Sequence, residues 1–176
     1  MTDLAIRVAT PADIPALHAL IESAYRGEAS RAGWTTEADL LDGQRTDPED
    51  LAEIIADPAQ ALLTAWRGGD MVGCILIADR GGGVGYFGML SVRPTLQAAG
   101  LGRRLVAVAE AELAARFGAR RTRISVFPQR ETLIAWYQRL GYRDTGRTQP
   151  FDYDNPRLGL PLRDDLHFIV MEKEIA

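Results

Sequence analysis

The chain is poor in the residues that cross-link proteins or hold metals. Its 176 residues include one cysteine, Cys74, so no disulfide can form within it and a cysteine-rich zinc site is excluded. His18 and His167 are the only histidines, too few for a histidine-rich centre, and no metal is expected. No apolar run approaches the roughly 20 residues that span a bilayer, so no membrane association is expected. Met1-Thr2-Asp3-Leu4 has no basic region followed by an apolar stretch. A secretory signal is therefore not expected, and the expected location is cytoplasmic. An excess of basic charge is missing as well: 20 Lys and Arg against 24 Asp and Glu give a formal net charge of −4. General nucleic-acid binders carry a basic face, so nucleic acid is not an expected partner. The same balance is compatible with a cationic small molecule as ligand, although net charge governs solubility and encounter rather than fold.

What is present is ordinary for a globular protein, with 47% hydrophobic and 25% charged residues and a length suited to one domain, 1–176, with a real core. Leu4–Val8 alternates and reads as a strand. Thr10-Pro11-Ala12-Asp13 reads as a helix start, with Ile14, Leu17, Ile21 and Ala24 on one face of a helix to about Tyr25. Residues 26–45 are irregular, with a Thr35-Thr36-x-x-Asp39 start to a short helix. Asp47-Pro48 opens another helix, which Asp57-Pro58 stops. Ala61–Trp66 and Met71–Ala78 read as a hairpin about Arg67-Gly68-Gly69-Asp70. Val84–Val92 is a third strand, Gly100 to Phe117 a helix stopped by Gly118, Arg121–Phe127 a strand, and Glu131–Leu140 a helix stopped by Gly141. Tyr142–Gly146 and His167–Glu174 close the chain as strands, separated by a long loop, Thr148–Asp165. Loops of that length are often functional. The order predicts one α/β domain.

The chemistry concentrates where the third strand ends. Gln97-Ala98-Ala99-Gly100-Leu101-Gly102 leads from a strand into a helix whose first amides have no internal partner and whose dipole favours an anion. Arg103 and Arg104 add positive charge. A P-loop would need lysine followed by Ser or Thr after the last glycine, where this turn has Arg103-Arg104. A dinucleotide fingerprint would need glycine at Leu105 and an acidic residue after Arg121–Phe127. The pattern Q/R-x-x-G-x-G/A is met at every position.

That motif, with the element order from Ile6 to Glu172, resembles the coenzyme A turn of the GNAT acetyltransferases. The resemblance implies a mixed sheet of about six to seven strands flanked by helices, and acetyl-CoA as co-substrate. It implies backbone contacts to the coenzyme along the preceding strand, at Leu90, Ser91 and Val92. Phosphate contacts are implied at Gln97, Ala98, Ala99, Gly100, Leu101, Gly102 and Arg103. Tyr137, in a helix ending Leu140-Gly141-Tyr142, is similar to the tyrosine that many members place beside the coenzyme sulfur, where a phenol can protonate the leaving thiolate. Many members carry asparagine where this chain has Arg130, which an arginine meeting the phosphates or the pantetheine arm would replace.

The implied activity is direct transfer of an acetyl group to a primary amine of a small molecule or peptide. A non-catalytic coenzyme A-binding module of the same fold is the alternative, and a homodimer is compatible with the family. The insert 26–58 and the loop 148–165 are expected on the acceptor side, with Tyr25, Trp34, Tyr86, Asp152 and Tyr153 as candidate acceptor contacts. An aromatic wall beside carboxylates would suit an organic cation. No general base is assigned among Glu22, Glu28, Asp152 and Asp154.

Overall fold

In the computed structural model, which describes residues 3–175, the strands alternate in burial and so serve two cores at once. The elements are β1 (Leu4–Val8), α1 (Ile14–Tyr25), α2 (Gly27–Ser30), β2 (Leu41–Asp42), α3 (Pro48–Ala56), β3 (Gln60–Arg67), β4 (Asp70–Asp79), β5 (Val84–Val92), α4 (Leu101–Phe117), β6 (Arg121–Val126), α5 (Glu131–Arg139), β7 (Arg143–Pro150), β8 (Leu160–Pro161) and β9 (His167–Glu174). Seven of the strands form a mixed sheet in the order β1-β3-β4-β5-β6-β9-β7, and β2 pairs with β8 in a separate ribbon. Within the large sheet only β5 and β6 run parallel.

Ala61, Leu63 and Ala65 of β3 join Leu101, Leu105, Ala109 and Leu113 of α4 in one core. Leu62, one residue out of phase, joins Leu17 and Ile21 of α1 and Leu51 of α3 in the other. On β4 the phase slips: Val72 and Ile75 share the α4 face while Met71 and Cys74 share the α1 face. The slip coincides with a register shift between Ala65 and Trp66 opposite β4. Beside it, a Cβ on Gly73 would lie 2.8 Å from a methyl of Leu105 and 3.1 Å from the Ser91 carbonyl oxygen, so glycine is what lets α4 press onto the sheet.

Local chemistry explains three departures from the expected elements. A 3-10 turn, Pro11–Asp13, precedes α1, and the Asp13 carboxylate accepts the Thr10 N–H at 2.8 Å and a two-pronged contact from Arg7. The helix expected after Thr35-Thr36 is a turn: the Thr36 hydroxyl accepts the Ala38 N–H at 3.1 Å and meets the Ser30 hydroxyl at 2.6 Å, and the short helix lies earlier as α2. The strand expected at Tyr142–Gly146 runs instead over Arg143–Pro150, because the Tyr142 ring is drawn into the core. The long loop is correspondingly shorter. It is tied to the insert by the β2–β8 ribbon, by the Leu162 N–H on the Leu40 carbonyl at 2.9 Å, and by Arg157 on Asp47 at 3.0 and 3.1 Å. A third cluster beneath it gathers Leu40, Leu41, Phe127, Phe151 and Leu166. Among the described residues no helix is long and apolar enough to cross a membrane.

Candidate active site

β5 and β6 pair only where Val84–Tyr86 lies beside Arg121–Arg123. Beyond Tyr86 they diverge, although β5 continues to Val92. The cause is visible on the β4 side: the step from Cys74 to Leu76 faces the longer step from Ser91 to Gly88, so β5 carries an extra residue. Met89 takes a left-handed φ of +50° there. Such a bulge bends its strand and leaves backbone groups without a ladder partner. Two clefts open into the gap, and they share Tyr25, Leu90, Arg130, Leu133 and Tyr137.

The first cleft, about 550 Å³, is built on the turn before α4. Its lining includes Leu90, Val92, Gln97, Ala98, Gly100, Gly102, Arg103 and Arg139. Gly100 caps α4 at φ +84°, a region open to glycine, and Ala98 holds φ +68°. A non-glycine residue there stores on the order of 1 kcal/mol of strain. The first backbone acceptor bond of α4 is the Arg104 N–H on the Gly100 carbonyl at 3.1 Å, so the amides before it are free for an anion. A Cβ on Gly102 would sit 3.5 Å from the Trp136 ring, and the Trp136 and Trp34 rings, both lining the cleft, pack tilted at 6.1 Å. The Gln97 side chain donates to the Val92 carbonyl at 3.2 Å, while its Oε1 is buried without a donor. An open amide cradle, an unpaired strand edge and an orphaned acceptor fit a ligand with a pyrophosphate and an amide-bearing arm.

The second cleft, about 400 Å³, lies on the other side of the junction, between the insert, β5, β6 and the loop before β9. Tyr86, Phe87 and Phe151 contribute to its wall, with the guanidinium groups of Arg26, Arg45, Arg80, Arg123 and Arg130 and the single carboxylate of Glu37. Glu37 is buried between Arg26, at 3.0 Å, and Arg130, at 3.1 Å. Burial pushes this carboxyl up, but Arg130 and Arg26 outweigh it and hold it below the usual carboxylate range. Arg130 also donates to the Thr35 hydroxyl at 2.8 Å, fastening the start of α5 to the insert.

Tyr137 stands where the clefts meet. Its ring packs against Trp136 at 5.1 Å, Tyr142 at 5.8 Å and Phe87 at 6.0 Å. Burial pushes its phenol well above the usual range, so it stays protonated. Burial likewise pushes the half-buried Tyr25 up to about 12.

The coenzyme residues expected from the sequence fall in two groups. Leu90, Val92, Gln97, Ala98, Gly100, Gly102, Arg103 and Arg130 line the first cleft; Ser91 and Leu101 turn their side chains into the core, and Ala99 is exposed beside the turn. Of the acceptor candidates, Tyr25 and Tyr86 line the second cleft. Trp34 lines the first cleft instead, drawn there by Trp136. Asp152 and Tyr153 line neither: Asp152 is exposed and accepts the Asp154 N–H, and the Tyr153 hydroxyl accepts the Leu166 N–H at 2.7 Å. Among the acids considered as bases, Glu22 accepts the backbone N–H groups of Arg45 and Thr46 at 2.7 and 2.9 Å, and Glu28 is exposed on Arg31. The aromatic wall is present in the second cleft, but beside it stand arginines and the single carboxylate of Glu37 rather than the carboxylates that would suit a cation. Arg26, Glu37, Arg45 and Arg139 carried no local signal, because nothing periodic or motif-like surrounds them.

The sequence pattern of the acetyltransferase (GNAT) family matches residues 17–142. A protein described as IAA acetyltransferase from Azospirillum brasilense is 36% identical over 104 residues, which cover 58% of this chain and 67% of the relative. The ribosomal-protein-S18-alanine N-acetyltransferase of Escherichia coli superposes with a TM-score of 0.70 at 17% identity, over 99% of this chain and 95% of its own. The yncA protein of Salmonella typhimurium, solved with its cofactor acetyl-CoA, gives a TM-score of 0.70 at 20% identity, over 99% and 95%. The chain belongs to the acetyltransferase (GNAT) family.

Proposed function

We propose that this acetyltransferase of the GNAT family moves the acetyl group of acetyl-CoA directly to a primary amine of a small molecule or peptide, with Tyr137 as the proton donor. Acetyl-CoA, when bound, supplies a thioester whose carbonyl carbon takes the amine and whose sulfur leaves. The reading is carried by one observation: the phosphate-turn cleft and the arginine-lined cleft meet at Leu90 and Tyr137. The free amides before α4, with Arg103 and Arg139, would hold the phosphates. The unpaired edge of β5 would align the amide-bearing arm like an added strand. Tyr137 keeps its proton at working pH and would deliver it to the sulfur as the bond to carbon breaks. Glu37, the carboxylate in the acceptor cleft, is held ionised by two guanidiniums and is a weak base, so the amine enters as the free base or sheds its proton to water.

Calorimetric titration of acetyl-CoA, with NADH as control, tests the first cleft. Binding should be lost when Gly100 and Gly102 are both replaced by valine, because Gly100 holds φ +84°, which a β-branched residue resists, and both new side chains would project from positions that line the cleft. A folded wild-type protein that fails to bind acetyl-CoA sinks the reading. Thiol release across a panel of amines then tests transfer.

A further inference from the structure

The charge of the acceptor cleft narrows the amine. Its arginines are not equally neutralised. Arg123 is balanced by Glu172 at 2.9 Å. Arg26 and Arg130 share the one carboxylate of Glu37. Arg45 and Arg80 make no ion pair and no side-chain hydrogen bond among the described residues. Each lies instead on an aromatic face of the same cleft, Arg45 at 5.0 Å over Tyr25 and Arg80 at 4.5 Å over Tyr86. A guanidinium stacked on a ring keeps its N–H edge free, and that edge is shaped for a planar carboxylate.

Arg45 is held in place rather than left to wander. Its own N–H and that of Thr46 are fixed on the Glu22 carboxylate, and the Thr46 hydroxyl donates to Asp50 at 2.7 Å. The pinned backbone sends a half-buried guanidinium beneath Tyr25, and Tyr25 lines both clefts. An acceptor whose nitrogen reaches the junction at Tyr137 therefore extends past Tyr25 and Arg45.

We infer that the acceptor is a small amine that also carries a carboxylate, of the amino-acid type, with Arg45 binding the carboxylate and Arg80 supporting it at the mouth. This rests on the acetyltransferase reading above and deepens it. A polyamine or other multiply cationic amine would meet excess positive charge in this cleft, whose one lining acid, Glu37, is already held by Arg26 and Arg130. The same field disfavours the ammonium form of the bound amine, which helps it shed its proton where no carboxylate is available as base.

Matched pairs test the inference: amino acids against the amines left by removing their carboxylate, with spermidine as the cationic comparator. Acetyl-CoA turnover is followed by thiol release, and binding to the coenzyme A complex by calorimetry, which needs no turnover. Amino acids should exceed their decarboxylated partners by about 10- to 100-fold in kcat/KM or affinity, the range of a charged hydrogen-bonded contact. Arg45→Met should erase most of that preference, through a rise in KM for the amino acids much larger than any change for the decarboxylated amines. Arg80→Gln, at an exposed position that carries no folding risk, should erase a smaller part of it. Spermidine or the decarboxylated amines performing as well as the amino acids would overturn the inference. So would an equal effect of Arg45→Met on both classes, or no amino acid binding or turning over. If acetyl-CoA itself fails to bind, the acetyltransferase reading fails first, and the calorimetric arm separates the two failures.

Discussion

Removing one oxygen atom should separate the chemistry of Tyr137 from its packing. In Tyr137→Phe the ring keeps its contacts with Trp136, Tyr142 and Phe87, at 5.1, 5.8 and 6.0 Å. The hydroxyl makes no hydrogen bond to any described residue, so its loss should change stability by no more than about 1 kcal/mol, the scale of an average hydrogen bond. If the phenol protonates the departing thiolate, the rate should fall by about 10²- to 10³-fold, within the usual range for a positioned general acid. That corresponds to roughly 3–4 kcal/mol of transition-state stabilisation. Water substitutes poorly, because the side chain is buried at the junction of the clefts. The loss should appear in kcat, with KM for both substrates within about threefold, since the phenol acts on charge that develops only as the sulfur leaves. Thiol release measured with a chromogenic reagent is a clean assay here. Cys74 is fully buried and burial pushes its thiol up to about 12, so the folded protein should contribute no background. With the phenol itself held well above its usual range, the wild-type rate should show no alkaline loss from Tyr137 up to about pH 9. A variant with unchanged melting temperature and kcat within about threefold of wild type would refute the proton-donor role. A fall confined to acetyl-CoA affinity would reassign Tyr137 to binding.

Two further perturbations probe what holds the site. Glu37→Gln should lower unfolding free energy in urea by about 3–5 kcal/mol, because it strands the buried guanidiniums of Arg26 and Arg130; a loss below about 1 kcal/mol would mean that the pair does not anchor the insert to α5. Asp13, held down to about 2 mainly by its hydrogen-bonded contact with Arg7, should contribute stability that is complete above about pH 4 and fades as pH falls toward 2. With Arg7 half-exposed and screened, Asp13→Asn should remove only about 1 kcal/mol of it and flatten that acid limb of the stability curve, and a variant whose acid limb matches wild type would exclude the contact as its source.

Where structure follows from neighbours in sequence, the residues alone disclosed it. Leu101, Leu105, Ala109 and Leu113 recur at helical spacing and do form the buried face of α4. Gly100 sits between a strand and a helix and does take the left-handed cap. The third strand was legible, but its divergence was not. That depends on an extra residue at Met89 measured against β4, and on β6 ending its pairing at Arg123, neither of which leaves a mark in the local pattern. Trp34 was recognisable as a wall residue, but its choice of cleft was set by Trp136, far along the chain on α5.

The sign of the second cleft was the least legible property, and the reason is physical. A net charge of −4 sums over the whole chain, whereas the potential inside a concave, poorly solvated cleft depends on the few groups that point into it. Here the acids that made the total negative are largely committed elsewhere. Asp47 holds Arg157, Glu172 holds Arg123, and Glu22 holds backbone amides. The acid that does enter the cleft, Glu37, meets its partners 11 and 93 residues away, spacings at which sequence carries no pairing signal. Arg45 and Arg80, by contrast, lie on aromatic faces without an ion pair among the described residues. An anionic chain thus encloses a second cleft lined mainly by cations, a local charge that the sum over the chain does not disclose.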